Sequence, residues 1–265
     1  MFKKEIADKY TSNPEDRQVL VQVLDKLNRT QQRNIMTSTH FLNEHQRAVA
    51  GQMLKDFGNP AHVFYGGFTG AQRTVLIFLP DYLGAENITD EDINPLACIR
   101  AKYSSHDSLT HRDFLGALLG TGVKREMIGD ILVNEGSCDI VVLKEILPYL
   151  ETSFSSAGRT RLEVSVIPLE QVNVPEAKFK TINDTVASLR LDSIVSSGFS
   201  LSREKAAEAV RAGRVYLNYL ECNKTDRQVN AGYCISVRVM GKIVLKEVGG
   251  KTAKGRTRVV IARYI

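Results

Sequence analysis

Residues 189–218 read LRLDSIVSSGFSLSREKAAEAVRAGRVYLN, and this stretch decides the fold of the C-terminal third. Leu191-Asp192-Ser193-Ile194-Val195 reads as a short helix that Gly198 can end. Ser202 then caps a second helix, Arg203–Ala212, which Gly213 terminates. Ala206, Ala207, Ala209 and Val210 keep that helix narrow, so a partner can come close. Arg203, Lys205, Arg211 and Arg214 bring positive charge to it. Val215-Tyr216-Leu217-Asn218 reads as a strand, as do Tyr233–Met240, Ile243–Val248 and Arg256–Tyr264, with a tight hairpin at Gly241-Lys242. Small residues with Arg and Lys around a helix–turn–strand corner suit a nucleic-acid backbone. Arginine engages phosphate with two parallel hydrogen bonds, and its plane stacks on bases.

Working outward, the charge is divided along the chain. From Lys178 to Ile265 there are 17 Lys and Arg against 7 Asp and Glu, a net of +10. The preceding residues hold 18 against 23, a net of −5. Such asymmetry points the C-terminal third at a polyanion. Cys98, Cys138, Cys222 and Cys234 form no CxxC pair, and the five His residues form no HExxH arrangement, so no metal is expected. No cofactor motif is visible. No apolar run approaches the roughly 20 residues of a membrane helix. Lys3 and Lys4 are followed by acidic and polar residues, unlike a signal peptide. The expectation is a soluble, cytoplasmic protein with no membrane partner.

Upstream, residues 1–60 read as helical. Asn13-Pro14-Glu15-Asp16 is a helix start, and a second helix is expected from Asn43 to Phe57. Val63-Phe64-Tyr65 and Thr74–Leu79 read as strands joined by the Gly-rich turn at 66–70. Six elements then follow: strand Leu96–Tyr103, helix Thr110–Leu119, strands Met127–Val133 and Ser137–Val142, helix Lys144–Phe154 and strand Arg161–Ile167. The order β-α-β-β-α-β is that of ferredoxin-like and RRM domains. The fold class is therefore α+β: a helical region over 1–60, an RRM-like domain over 61–170 with an added strand pair, a linker over 171–181 and a basic C-terminal module over 182–265. RNA-binding RRMs place aromatics on two central strands. Met127–Val133 has none and Leu96–Tyr103 offers only Tyr103, so the middle domain reads as a scaffold.

Arg190-Leu191-Asp192, Ser202-Arg203, Ala206, Gly213 and Val215-Tyr216-Leu217-Asn218 resemble the pattern of the S4 RNA-binding domain. Two turn positions depart: Tyr219 stands where a Gly is usual, and Gly232-Tyr233 where Gly-Asp is usual. A helical N-terminus, an RRM-like middle and an S4 module are together similar to the YlmH family of bacterial S4 proteins. That resemblance implies binding to structured rRNA or tRNA on the large ribosomal subunit, and a role in ribosome-associated quality control.

Other motifs carry less. Gly249-Gly250-Lys251-Thr252 resembles the end of a P-loop, but Leu245 stands where its first Gly belongs and a strand follows. It reads instead as a mobile basic turn offering Lys251, Lys254, Arg256 and Arg258 to phosphates. Arg190-Leu191-Asp192 also matches the triplet around the catalytic aspartate of S4-linked pseudouridine synthases, but here it opens the S4 module and too little chain follows for a synthase.

The leading expectation is a monomeric, non-catalytic RNA-binding factor. Arg190, Arg203, Lys205, Arg211 and Arg214 would meet phosphates, with Asp192, Ser202 and Asn218 positioning and Lys251, Lys254 and Arg256 adding charge. The alternatives are an RNA-modifying enzyme with its site in the first 170 residues, and an adaptor whose acidic two-thirds holds a protein.

Overall fold

The computed structural model describes residues 3–265, which divide into two compact units with the boundary between Pro175 and Glu176.

The first unit opens with helices α1 (Lys3–Ala7) and α2 (Pro14–Arg33). Asn13 caps α2, its Oδ1 accepting from the Glu15 and Asp16 amides, and Asn34 ends the helix in the left-handed region at φ 49°. Strand β1 (Thr37–Ser38), helix α3 (Glu44–Asp56) and strands β2 (His62–Tyr65) and β3 (Val75–Phe78) follow. These strands form an antiparallel sheet in the order β1-β3-β2. Residues 37–38, read above as part of a helical region, instead supply an edge strand that pairs with Phe78 and Ile77. α2 packs on β3, and Phe64 reaches Gly51 of α3.

Next come β4 (Leu96–Lys102), α4 (His111–Gly120), β5 (Ile128–Asn134), β6 (Ser137–Leu143), α5 (Leu147–Ser153), the short hairpin β7 (Ser156–Ala157) and β8 (Thr160–Arg161), and β9 (Glu163–Ile167). The sheet order β5-β6-β4-β9, wholly antiparallel, is the ferredoxin-like one. The helix expected over Lys144–Phe154 begins as a 3-10 turn, and Pro148 stands in the first turn of α5.

β4 and β6 are the central strands, so β5, taken above as central, lies at the edge. The aromatic count is unchanged by the correction, since Ser137–Leu143 has none either. The face itself settles more. Alternate residues of β4 and β6, Ala97, Ile99, Ala101, Cys138, Ile140 and Val142, pack with Phe114, Leu118 and Leu150 of α4 and α5. The opposite face, which an RRM offers to RNA, is buried here. Leu96, Val141 and Leu143 form a core with Val75 and Ile77 of β3, Phe41 and Ile88. Helices, sheet, sheet and helices thus stack as four layers. On the covered face Asp139, fully buried, receives Arg100 Nε and Nη2 at 2.6 Å each and the Asn173 amide at 2.8 Å.

The second unit has β10 (Phe179–Val186), α6 (Leu191–Phe199), α7 (Arg203–Arg211), β11 (Val215–Leu217), β12 (Leu220–Glu221), β13 (Cys234–Val237), β14 (Gly241–Lys251) and β15 (Thr257–Tyr264). Its sheet runs β10-β15-β14-β13-β11-β12. Phe179, Lys180 and Thr181, read above as linker, pair with Tyr264, Arg263 and Ala262. Both helices cover one face, burying Ile194, Val195, Phe199 and Val210 against Ile235, Ile243, Leu245 and Ile261. Each such side chain contributes about 1.5–3 kcal/mol by leaving water.

Gly198 does not end α6. The helix runs on to Phe199, and Ser200 closes it at φ 55°. A Cβ on Gly198 would stand 2.4 Å from Ile243 Cδ1, so its role is the close approach of helix to sheet. The turn into β14 is likewise shifted: Gly241 already pairs with Val237, and Val239 takes φ 71° at the tip.

Candidate nucleic-acid interface

Asp192 sits in the first turn of α6, 4% exposed. It accepts from Arg190 Nε at 3.2 Å and Nη2 at 3.3 Å, and from Arg203 Nε at 3.5 Å. One carboxylate thus holds an arginine from the α6 N-cap and one from the start of α7, while the two arginine side chains stay 34% and 55% exposed. Burial drives the Asp192 carboxyl up. The hydrogen bonds from Arg190 and the charges of Arg190 and Arg203 outweigh it, so the group lies below its ordinary value. It is ionised at neutral pH.

The segment between β12 and β13 straps this corner. Leu191 N–H donates to Arg227 O at 2.8 Å, Asp192 N–H to Thr225 O at 3.1 Å, and Val229 N–H to Leu189 O at 2.8 Å. The first amides of α6 are therefore satisfied by backbone carbonyls. The strap carries Lys224, Asp226 and Arg227 past this corner, with the Asp226 carboxylate close enough to Arg190 to favour its charge, and the sequence reading missed all three. Their signal was the charged tetrapeptide Lys224-Thr225-Asp226-Arg227 between two strands.

The remaining candidates are dispersed. Ser202 caps α7, its Oγ accepting from Lys205 N–H at 3.3 Å. At about 100° per residue, Arg203 and Arg211 lie toward one side of α7. Glu204 and Glu208 separate them from Lys205, and Arg214 reaches Glu208 at 3.7 Å. Asn218 is engaged within the fold, its Oδ1 accepting from Cys234 N–H at 2.9 Å. Asn218 and Tyr219 form the two-residue turn between β11 and β12, both at positive φ, 48° and 69°. Tyr219 thus takes the backbone conformation that a Gly would take more easily.

Residues 249–256 are not a loose turn. β14 continues through Gly249 and Gly250, and the tip closes with Thr252 N–H to Arg256 O at 2.8 Å. Lys251 and Lys254 are exposed there. Arg256 Nε donates to Thr185 Oγ1 at 3.0 Å and Nη2 to the Thr185 carbonyl, tying the hairpin to β10. Among the described residues no cluster of His, Cys, Asp and Glu could hold a metal ion, and no helix is long and apolar enough to cross a membrane.

This corner coincides with a known domain, since the S4 domain model matches residues 189–240. A model described as "Putative RNA-binding domain in YlmH" matches residues 94–171. The Bacillus subtilis (strain 168) protein named ribosome-associated protein quality control protein P2 is 30% identical over 254 residues, covering 94% of this chain and 95% of that one. The chain belongs to the YlmH family. A solved structure, cell division protein ylmH from Streptococcus pneumoniae, is 24% identical and covers 62% of this chain and 98% of its own, with a TM-score of 0.50; the likeness is one of fold. With these domains the YlmH-family chain has an RNA-binding role.

Proposed function

We propose that this YlmH-family protein binds structured rRNA or tRNA on the large ribosomal subunit through its S4 unit, as a monomer in the cytoplasm and without catalysing a reaction. Its service is ribosome-associated quality control, the process for which the Bacillus subtilis relative is named. The observation that carries this reading is the arginine pair held by Asp192. Two guanidiniums from two helices are pre-positioned on a buried carboxylate and remain open to solvent. Less side-chain entropy is then lost when they meet phosphates. Lys224 and Arg227 join them from the strap, and Lys251 and Lys254 extend the charge from the hairpin tip. Arg211 adds a further cation on the Arg203 side of α7, whereas Lys205, beyond the two glutamates, contributes less.

Each neutralised phosphate releases counterions, so affinity falls steeply with salt. The full chain carrying Arg203→Ala and Arg211→Ala should bind ribosomal RNA more weakly. The slope of log K against log salt should flatten by about 1.8, roughly 0.9 per lost duplex phosphate contact. Unchanged affinity and slope would overturn the assignment.

A further inference from the structure

The S4 unit's sheet has a second face, turned away from α6 and α7. Strand alternation sets its membership. Ile182 and Val186 of β10, Val259 and Ile261 of β15, Ile243 and Leu245 of β14, Ile235 and Val237 of β13, and Val215 and Leu217 of β11 belong to the helix-covered core. Their neighbours point the other way. Strand register then lines up one row across the sheet. Phe179 is opposite Tyr264, Lys242 opposite Ser236, and Ser236 opposite Tyr216. The Lys242 ammonium bridges the middle, 5.0 Å from the Tyr264 ring centre and 5.9 Å from that of Tyr219.

Four of the unit's six aromatic rings, Phe179, Tyr216, Tyr219 and Tyr264, therefore lie on or beside this face, although the core is on the other. Phe179 is 50% exposed. Its ring centre is 6.5 Å from that of Tyr264, and Lys246 stands 5.9 Å above it. Arg238 and Arg258 add charge, while the acids of this face are Glu221 at the β12 edge and Glu247 past the bulge in β14. Strands about 4.8 Å apart place Phe179 and Tyr216 roughly 19 Å from each other, room for a few unstacked nucleotides.

We propose that this face is a second RNA surface, which takes a single-stranded segment by stacking bases on Phe179 and Tyr264 and drawing the backbone along Lys242 and Lys246. Flat rings interleaved with cations are what unpaired bases and their phosphates require. A duplex would leave the rings without bases to stack on. The surface is separate from the Asp192 corner, so either can fail without the other.

The probe is a fluorescein-labelled 12-nucleotide oligouridylate with the full-length protein. Phe179→Ala with Tyr264→Ala should weaken its binding by about tenfold per stacked base. Affinity for a structured ribosomal RNA hairpin should stay within about twofold, a control that also reports folding. Arg203→Ala with Arg211→Ala should do the reverse. The chain has no Trp, so Phe179→Trp supplies a single reporter that keeps a stacking ring. Its emission should be quenched by the oligouridylate and not by a 12-base-pair RNA duplex. Unaltered oligouridylate affinity in the double alanine variant, absence of quenching, or equal quenching by duplex would each overturn the proposal, and the first two together would hand the face to a protein partner.

Discussion

Asp192 and Arg203 lie eleven residues apart, on different helices, yet the carboxylate of one accepts from Nε of the other at 3.5 Å. With Arg190 bound to the same group, the corner between α6 and α7 is set by an acid that itself has little access to solvent.

The first prediction follows from the sign of the Asp192 shift. Its folded value lies below the ordinary 3.8. A depressed carboxylate stabilises the fold above the unfolded value, and that contribution disappears as pH falls through the folded value. Asp192→Asn should lower the melting temperature at pH 7 by about 4–8 °C, the shift that about 1 kcal/mol produces in a domain of this size. The difference from the parent should shrink on acidification below pH 4. A difference that persists or grows in acid would contradict the ion-pair account.

Asn218 separates a positioning role from a contact role. Asn218→Ala removes the acceptor for the Cys234 amide and puts Ala at φ 48°. The combined cost should be about 2 kcal/mol in urea unfolding. RNA affinity of the folded fraction should change less than twofold. A tenfold loss of affinity with unchanged stability would make Asn218 a direct contact.

Arg100 is the partner of a fully buried carboxylate. Arg100→Ala leaves Asp139 uncompensated and should cost about 3–5 kcal/mol. Arg100→Met combined with Asp139→Leu should recover most of that loss, because an apolar pair needs no partner. Denaturant midpoints of the two variants decide it; equal losses would sink the explanation.

None of the four cysteines is held in a disulfide. Burial, with the charge of Asp139 beside it, pushes Cys98 up to about 12, and burial pushes Cys138 up as well. Cys234 is buried and Cys222 half-buried. A thiol reagent at pH 8 should therefore modify Cys222 quickly in the native protein and the other three only on unfolding. Mass mapping after limited reaction checks the order; early labelling of Cys98 would contradict the layered first unit.

Much of this was legible in the residues. The Asn13 and Ser202 caps, the alternating apolar strands and the Arg-Leu-Asp corner all act locally, and local signals survive in sequence. Tertiary pairing does not. Phe179-Lys180-Thr181-Ile182-Asn183 is polar enough to read as linker, and only β15 makes it a strand. Gly198 reads as a helix stop until Ile243 is seen against it. One clue was passed over: Leu96-Ala97-Cys98-Ile99 is an unbroken apolar run, the mark of a strand covered on both faces. The strap over α6 was missed because its bonds come from backbone carbonyls, which any residue type supplies.

The pairing of β10 with β15 has a consequence for how the protein is made. Phe179 leaves the ribosomal exit tunnel long before Tyr264, its partner across the sheet. Domains fold from the N-terminus as they emerge, so the first unit can be complete while the S4 sheet still lacks one of its inner strands. The nascent chain therefore completes the S4 sheet only once β15 is out, so β10 must wait, unpaired on that side, for the last strand of the unit.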